Sequence, residues 1–170
     1  MSLITDEYRQ MQAELHKDAN YGVASVSYAP LVDKVIQSNG ITELLDYGAG
    51  KCRLRDSLTE SVKYTPYEPS NPEWSNTPEP CEFVTCIDVL EHIEPDCLDD
   101  VLDDLKRVVK KYGFFTIHTG PAQKILPDGR NAHLTQEPLD WWKVKIEKRF
   151  NIIQQLNMTN GCIVFVKYKD

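Results

Sequence analysis

Short apolar runs alternate along the chain with stretches in which apolar residues recur every three or four positions. The runs predict strands at residues 41–46, 62–67, 82–88 and 114–118. The periodic stretches predict helices at 28–39 and 95–111, with apolar faces that pack against a sheet. In the second helix Pro95 lies in the first turn, acidic residues precede basic ones, and Gly113 follows as a stop signal.

The remaining segments have weaker patterns. Further helices are predicted at residues 5–18, 51–61 and 135–149. The first would be an N-terminal arm or helix, within residues 1–20, that lies over the body of the protein. Thr135 has a hydroxyl that can cap the last of them. Two final strands are predicted at residues 151–156 and 162–168, and Asn160-Gly161 would join them as a hairpin.

Strands that alternate with helices and end in a hairpin predict an α/β sandwich with a mostly parallel sheet. The length of 170 residues and the 41% hydrophobic content suit one domain over residues 1–170. In such sheets ligands bind beyond the carboxyl ends of the strands. Asp46, Glu68, Asp88 and His118 stand at those ends, so four separate parts of the chain are predicted to meet in one crevice.

Charge and cysteine usage narrow the possible functions. A formal net charge of −7 disfavours a nucleic-acid partner, since such proteins grip phosphates through many Lys and Arg side chains. No apolar run reaches the ~18 residues of a membrane span, and the first ten residues lack the features of a secretion signal. The five cysteines are scattered without a Cys-x-x-Cys pair, so neither a disulfide framework nor a zinc site is predicted. We therefore expect a cytoplasmic protein without membrane association.

The segment 46–52, Asp-Tyr-Gly-Ala-Gly-Lys-Cys, is typical of a strand that ends in a tight turn before a helix. Such a turn outlines a nucleotide-type ligand site. A P-loop would need a glycine where Leu45 stands and Ser or Thr where Cys52 stands, so that motif is rejected. A dinucleotide turn would need a third glycine at the position of Arg53, which makes nicotinamide binding improbable.

The pattern Asp46-x-Gly48-x-Gly50 instead resembles motif I of the class I S-adenosylmethionine-dependent methyltransferases, which is Asp/Glu-x-Gly-x-Gly. Residues 86–95, Cys-Ile-Asp-Val-Leu-Glu-His-Ile-Glu-Pro, are similar to the strand-four signature of small type-11-like and type-23-like members. The two motifs follow in the expected order, and the resemblance covers residues 28–168. It implies a Rossmann-like three-layer sandwich, S-adenosylmethionine as cofactor and S-adenosylhomocysteine as product.

The resemblance also implies cofactor contacts around the glycine turn. Gly48 and Gly50 would let the backbone approach the amino-acid end of the cofactor, which Asp46 and the adjacent Tyr47 would help to hold. Glu68 would accept hydrogen bonds from both ribose hydroxyls. A structural explanation stays open for each residue, because the turn needs its glycines in any case and Glu68 can be a solvated loop acid.

On the adenine side, the resemblance implies that Asp88, Val89 and Leu90 border the sulfonium and the adenine ring. Family members usually have a helix, a third strand and another helix before this segment, but only residues 68–81 are available here. Two helices and a strand do not fit into that length. We therefore expect a sheet without the usual third strand and its flanking helices, and an adenine pocket covered by the proline-rich loop with Trp74.

Candidate catalytic residues lie further along the chain. Three histidines are predicted near the crevice: His92, His118 and His133. An imidazole titrates near neutral pH and can act as a general base, although each of these can also merely hydrogen-bond a loop. The loop 120–133 is too long to be a simple connection and is predicted to form the acceptor wall, with Lys124 or Arg130 recognising an anionic group.

Three functions remain open at this point. The first is methyl transfer to a small-molecule acceptor. The second is methylation of a nucleic acid by a complex in which a partner supplies the positive surface. The third is a non-catalytic module that binds S-adenosylmethionine within a larger assembly. The absence of a separate recognition domain favours the first.

Overall fold

The computed structural model describes residues 1–170 in full. The helices are α1 (Asp6–Leu15), α2 (Ser25–Asn39), α3 (Arg53–Ser57), α4 (Leu98–Val108) and α5 (Leu139–Glu147). The strands are β1 (Glu43–Tyr47), β2 (Lys63–Tyr67), β3 (Cys81–Ile87), β4 (Val109–His118), β5 (Phe150–Met158) and β6 (Gly161–Tyr168). Short 3-10 turns span Pro72–Trp74, Leu90–His92 and Pro95–Cys97.

The six strands form a single sheet in the order β2-β1-β3-β4-β6-β5. The first four are parallel to one another, whereas β6 runs antiparallel to both β4 and β5. Between β2 and β3 the chain has only a loop with the turn Pro72–Trp74, so no strand or helix pair stands there. The predicted α/β class, the terminal hairpin and the missing third strand are therefore confirmed. Pro66 is tolerated in β2 because that strand lies at the edge of the sheet.

Apolar side chains cover both faces of the sheet. On one face α4 and α5 pack against it through Leu102, Leu105, Trp142 and Ile146, all fully buried. On the other face α2 and α3 pack through the fully buried residues Val32, Ile36 and Leu54. This three-layer arrangement holds the carboxyl ends of the parallel strands in fixed positions, and it is these ends that form the candidate site.

The limits of two predicted helices were wrong. The helix predicted at 51–61 is only the five-residue α3. The helix predicted at 95–111 begins with a 3-10 turn and ends at Val108, after which the chain enters β4. Val109 pairs with Cys81 of β3. Residues whose apolar spacing also suits a helix therefore form part of a strand. Gly113 is therefore no helix stop: a Cβ there would lie 2.8 Å from Val166 Cγ2 on the neighbouring strand.

Two further local predictions were also wrong. Thr135 does not cap α5, which begins at Leu139 after Pro138; the backbone N–H of Thr135 instead donates to the carbonyl of Glu91. The hairpin turn consists of residues 159–160, and Gly161 already belongs to β6. A Cβ at Gly161 would overlap the carbonyl oxygen of Ile117, so close packing against β4 explains this glycine.

The N-terminal helix is present as predicted. Thr5 caps α1 by accepting from the N–H of Tyr8, and the Thr5 hydroxyl donates to Glu94 at 2.8 Å, which joins the helix to the body. The longest helix, α2, has 15 residues, and none of the helices combines the length and the apolar composition that crossing a membrane requires.

Candidate functional site

A cavity of about 500 Å³ opens at the carboxyl ends of the parallel strands. The four predicted strand-end residues Asp46, Glu68, Asp88 and His118 all line it. Parallel strands that share one hydrogen-bond register end at the same sheet edge, which is why residues so distant in sequence meet here. We call the part formed by Asp46, Gly48, Gly50 and Glu68 the glycine end, and the part formed by His92, His118 and His133 the histidine end.

The turn after β1 needs glycine for two separate reasons. Gly48 has φ +82° and Gly50 has φ +54°, a left-handed conformation that other residues adopt only with strain. A Cβ on Gly48 would also overlap the side chain of Val89, with Cγ1 at 3.0 Å. The N–H groups of Gly48 and Ala49 both donate to the carbonyl of Tyr67, at 2.8 and 2.9 Å, so the turn is tied to the end of β2.

Asp46 is almost completely buried beneath this turn. Tyr64 donates a short hydrogen bond to one of its carboxylate oxygens, and Thr85 donates to the other at 2.9 Å. Burial raises the pKa of Asp46 to about 6, and the nearby charge of Glu68 acts in the same direction, while the two hydrogen bonds oppose them. The carboxylate therefore braces β1 against its neighbouring strands β2 and β3, and its oxygens already have donors within the protein.

Glu68 is 8% exposed and joins the end of β2 to the glycine turn. Its Oε2 accepts from the N–H of Gly50 at 3.1 Å. Its Oε1 accepts from the hydroxyl of Ser70 at 2.6 Å and from the Ser70 N–H at 3.1 Å. The carboxylate is thus held in one orientation at the cavity wall.

The segment after β3 contributes unequally to the cavity. Asp88 has φ +51°, a strained value for a residue with a side chain, and it exchanges hydrogen bonds with Thr116: its N–H donates to the threonine hydroxyl at 2.9 Å, and that hydroxyl donates to its carboxylate at 2.7 Å. Val89 lines the cavity. Leu90 does not, because its side chain is fully buried in the core between the sheet and α4.

Tyr47 also departs from the expected arrangement. It borders the cavity, but its hydroxyl donates to Asp104 of α4 at 2.7 Å. Asp104 is itself buried and paired with Arg107 at 2.7 Å. Burial raises the pKa of the Tyr47 phenol well above its usual range, and the carboxylate of Asp104 raises it further. The tyrosine side chain therefore anchors β1 to α4 through this hydrogen bond.

At the histidine end, the rings of His92 and His133 meet edge to face with centroids 4.6 Å apart. The Nδ1 atoms of the two rings lie 2.9 Å from the carbonyl of Ala132 and 2.7 Å from the carbonyl of Gly120, respectively. A carbonyl only accepts, so each Nδ1 carries the proton and each Nε2 has a free lone pair. His118 differs, since its Nδ1 lies 3.1 Å from the backbone nitrogen of Gly120 and 3.2 Å from the carbonyl oxygen of the same residue, so both tautomers of this ring have a partner.

The N-terminal segment covers the cavity. Residues of α1 and of the stretch that follows it line the side opposite the sheet. Lys51 donates to the carbonyls of Asp18 and Tyr21, at 2.7 and 2.5 Å, and Lys124 pairs with the Asp18 carboxylate at 2.5 Å. The cover is thus fastened from both the glycine turn and the long loop 119–133.

His16 is the functional candidate that sequence reasoning missed. It lies in this cover, and a Cβ on Gly22 or on Gly50 would be 3.0 or 3.1 Å from its ring. Its Nδ1 is buried without a hydrogen-bond partner, and burial lowers its pKa. The chain has four histidines in total, and all four line this one cavity. No local pattern around His16 indicates this, because its position depends on how α1 docks.

Comparison with solved structures gives the architecture a context. The chain superimposes on the 1,6-didemethyltoxoflavin-N1-methyltransferase of Burkholderia thailandensis, which was solved with 1,6-didemethyltoxoflavin and S-adenosylhomocysteine bound. The TM-score is 0.68 at 16% identity, and the superposition covers 100% of this chain and 93% of that one. The N-methyltransferase NodS of Bradyrhizobium japonicum, also bound to S-adenosylhomocysteine, matches at TM-score 0.67 and 10% identity, over 97% of this chain and 100% of that one. The DhpI complex with S-adenosylhomocysteine matches at TM-score 0.65 and 15% identity, over 95% and 93%. The chain has the class I methyltransferase fold.

Sequence comparison does not extend this result: no protein-family profile matches the chain, and no curated protein matches it in sequence. At 10–16% identity the likeness establishes the fold alone. Which residues act within this methyltransferase fold must therefore be argued from the geometry of the chain itself.

That geometry corrects two expectations. Trp74 does not line the cavity but a separate groove with residues 76–81; of the proline-rich loop, Pro69 borders the cavity. Arg130 is not part of the cavity wall either, since its guanidinium pairs with Asp128 at 2.7 Å. Lys124 does line the methyltransferase-fold cavity, but it is already paired with Asp18.

Proposed function

We propose that this protein transfers a methyl group from S-adenosylmethionine to a small-molecule acceptor. The observation that carries the proposal is the division of one cavity into two chemically different ends. The glycine end offers a tight turn with two glycines and fixed carboxylates, and the histidine end offers imidazoles. A volume of about 500 Å³ suits a cofactor and a small acceptor.

The glycine end fits the cofactor. Gly48 and Gly50 form the tight turn beside the amino-acid portion, and Oε2 of Glu68, which accepts only from the N–H of Gly50, can still accept from a ribose hydroxyl. Asp46 supports the turn from beneath. Asp88 and Val89 border the region between the glycine end and the histidine end, where the sulfonium would lie. When bound, S-adenosylmethionine supplies an electrophilic methyl group.

The contribution of the protein to such a transfer is mainly alignment. Holding acceptor and methyl donor in line can lower the barrier by up to ~7–11 kcal/mol. An acceptor atom that carries a proton must also lose it, and the free Nε2 of His92 or His133 can take it. The net charge of −7 supports a small acceptor over a nucleic acid.

Calorimetric titration with S-adenosylhomocysteine tests the proposal. We expect one binding site in the unaltered protein and affinity about 10-fold weaker, or roughly 1.4 kcal/mol, in Glu68→Gln, because the amide loses one acceptor oxygen at the ribose. The matched control is Glu73→Gln, an exposed acid of the same loop that does not line the cavity, which should bind like the unaltered protein. Absence of binding in the unaltered, folded protein would refute the proposal, and equal affinity in Glu68→Gln would refute the role of Glu68.

A further inference from the structure

Three side chains with metal-binding atoms meet at the back of the histidine end. A carboxylate oxygen of Glu91 and one ring nitrogen each of His92 and His133 lie within 4.8 Å of one another. Glu91 and His92 belong to the 3-10 turn that follows β3, and His133 ends the long loop after β4. The cluster therefore depends on two separate parts of the chain being held together.

Both imidazoles are oriented as metal ligands are. Metal-bound histidines almost always donate their other ring N–H to a backbone carbonyl, a carboxylate or water, which fixes the ring and its tautomer. His92 and His133 each donate from Nδ1 to a carbonyl, that of Ala132 and that of Gly120, and each keeps the Nε2 lone pair free. The tautomer that these two hydrogen bonds select leaves on each ring the lone pair that a metal ligand needs.

Glu91 provides an independent observation. Its side chain is fully buried, its Oε1 accepts from the His118 N–H at 3.0 Å, and its Oε2 has no hydrogen-bond partner at all. A buried acceptor without a partner typically costs about 1–3 kcal/mol. No Lys or Arg forms an ion pair with Glu91. A cation beside Oε2 would supply the missing partner.

We propose that Glu91, His92 and His133 bind a divalent transition-metal ion, with zinc as the type case. Metal–ligand bonds of ~2.0–2.2 Å in a tetrahedral site place the ligand atoms roughly 3.3–3.6 Å apart, so atoms that lie up to 4.8 Å apart without the metal would have to draw together on binding. Two imidazoles and one carboxylate form the ligand set of open zinc sites, and the two nitrogens disfavour magnesium and calcium. His92 and His133 line the cavity while Glu91 lies behind them, so the remaining coordination positions face the acceptor.

The site defines the class of acceptor, and this step rests on the proposed function. A metal ion next to the bound acceptor coordinates oxygen and lowers the pKa of a coordinated hydroxyl. The acceptor would then be a hydroxyl-bearing molecule that is deprotonated on the metal, and the hydroxyl proton would leave to solvent. His92 and His133 would act as ligands and not as general bases.

Metal binding is measured without cofactor or acceptor. Protein freed of metal by a chelator is titrated with Co²⁺ by visible absorption and with Zn²⁺ by calorimetry. We expect one ion per chain, with d–d absorption typical of a nitrogen-containing site, and much weaker binding of Mg²⁺. Affinity should fall on the order of 100-fold in Glu91→Gln and in His133→Asn.

The variants separate ligation from folding. Glu91→Gln mimics the protonated acid and keeps the oxygen that accepts from His118, so a purely structural Glu91 would tolerate it. His133→Asn leaves the buried carboxylate in place and serves if Glu91→Gln does not fold. The control Glu73→Gln changes an exposed acid outside both the cluster and the cavity and should bind metal normally. No absorption band in the unaltered protein, or equal Co²⁺ affinity in both cluster variants and the control, would overturn the proposal.

The outcome is distinguishable from that of the proposed function. Titration of the metal-free protein with S-adenosylhomocysteine reports on the glycine end alone. Metal binding without cofactor binding would refute methyl transfer and leave the metal site standing. Cofactor binding without metal binding would refute the metal site and leave the proposed methyl transfer standing.

Discussion

The two ends of the cavity are built on different principles. At the glycine end, the polar groups are already paired within the protein: Asp46 accepts from Tyr64 and Thr85, and Glu68 accepts from Gly50 and Ser70. At the histidine end, groups are held at one atom and left free at another, as with the Nε2 atoms of two imidazoles and the Oε2 of a buried glutamate. The glycine end therefore has a fixed shape, whereas the histidine end keeps free atoms that can bind a proton or a metal ion.

This difference follows from how each end is assembled. The glycine end consists of a turn and the ends of two adjacent parallel strands, β1 and β2, so its geometry follows from the sheet register. The histidine end brings together residues from the turn after β3, the end of β4 and the loop 119–133, and α1 covers it. Changes at the glycine end should therefore act on stability and cofactor affinity, and changes around the histidine end should act on the docking of its cover.

The largest expected effect is on the pH dependence of stability at Asp46. Its pKa is raised from 3.8 to about 6 in the folded protein, so the folded state binds the proton more tightly than the unfolded state. The stability due to this group is present below pH ~4 and is lost as pH rises to ~6, a change of about 3 kcal/mol. Relative to the unaltered protein, Asp46→Asn should therefore gain about 2 kcal/mol in free energy of unfolding between pH 4 and pH 7, since part of the change falls below pH 4; denaturant titration measures it.

Taking the difference between two proteins cancels the contributions of Glu91 and His92, which both contain. The control Asp56→Asn removes an exposed carboxylate of α3 and measures the effect of losing one surface charge. A difference between Asp46→Asn and the unaltered protein that stays constant from pH 4 to pH 7 would contradict the view that the glycine end holds a buried charge at a cost in stability.

The next largest effect is expected at Gly48. In Gly48→Ala the new Cβ would meet Val89 and require a left-handed backbone, so the turn must shift, and we expect affinity for S-adenosylhomocysteine to fall about 100-fold, or roughly 2.7 kcal/mol. Gly40 is a matched control, since it has φ +60° with nothing within 4 Å of a built Cβ. Gly40→Ala should lose about 1–2 kcal/mol of stability from the same backbone strain and keep its affinity. Calorimetry that finds equal affinities in the two folded variants would show that the turn does not shape the ligand site.

The smallest effect concerns the cover of the histidine end. The hydroxyl of Tyr8 donates to the carbonyl of His92 and accepts from Gln12 at 2.8 Å. Tyr8→Phe leaves both partners buried and unpaired, which should weaken the docking of α1 by about 1 kcal/mol. Hydrogen exchange of residues 6–15 should become faster, and Tyr168→Phe, which changes an exposed tyrosine of β6, should leave it unchanged. Unaltered exchange in Tyr8→Phe would mean that the cover is held by other contacts.

Much of the fold could be predicted because the sequence signals are local or depend only on how many residues a segment has. The strands follow from runs of apolar residues, and the turn at Gly48 and Gly50 follows from the need for a left-handed backbone. The missing third strand follows from length alone, because residues 68–81 cannot hold two helices and a strand. The convergence of Asp46, Glu68, Asp88 and His118 then needs only the rule that parallel strands end at the same edge.

The rest was decided by contacts between residues far apart in the sequence. Val109–Tyr112 has the spacing of a helix but pairs as a strand with β3, and the sequence pattern does not distinguish the two. Local pattern places Leu90 beside its cavity-lining neighbours, yet packing against α4 takes its side chain into the core.

The same holds for the histidine end and its cover. His16 reaches the cavity only because α1 docks over it, and the Nδ1 protons of His92 and His133 are assigned by carbonyls in the long loop. The sequence by itself thus determined the sheet and the glycine end, since periodicity and backbone sterics are local. Only the tertiary structure decided which polar atoms stay free at the histidine end, because hydrogen-bond partners from distant parts of the chain meet only in the folded protein.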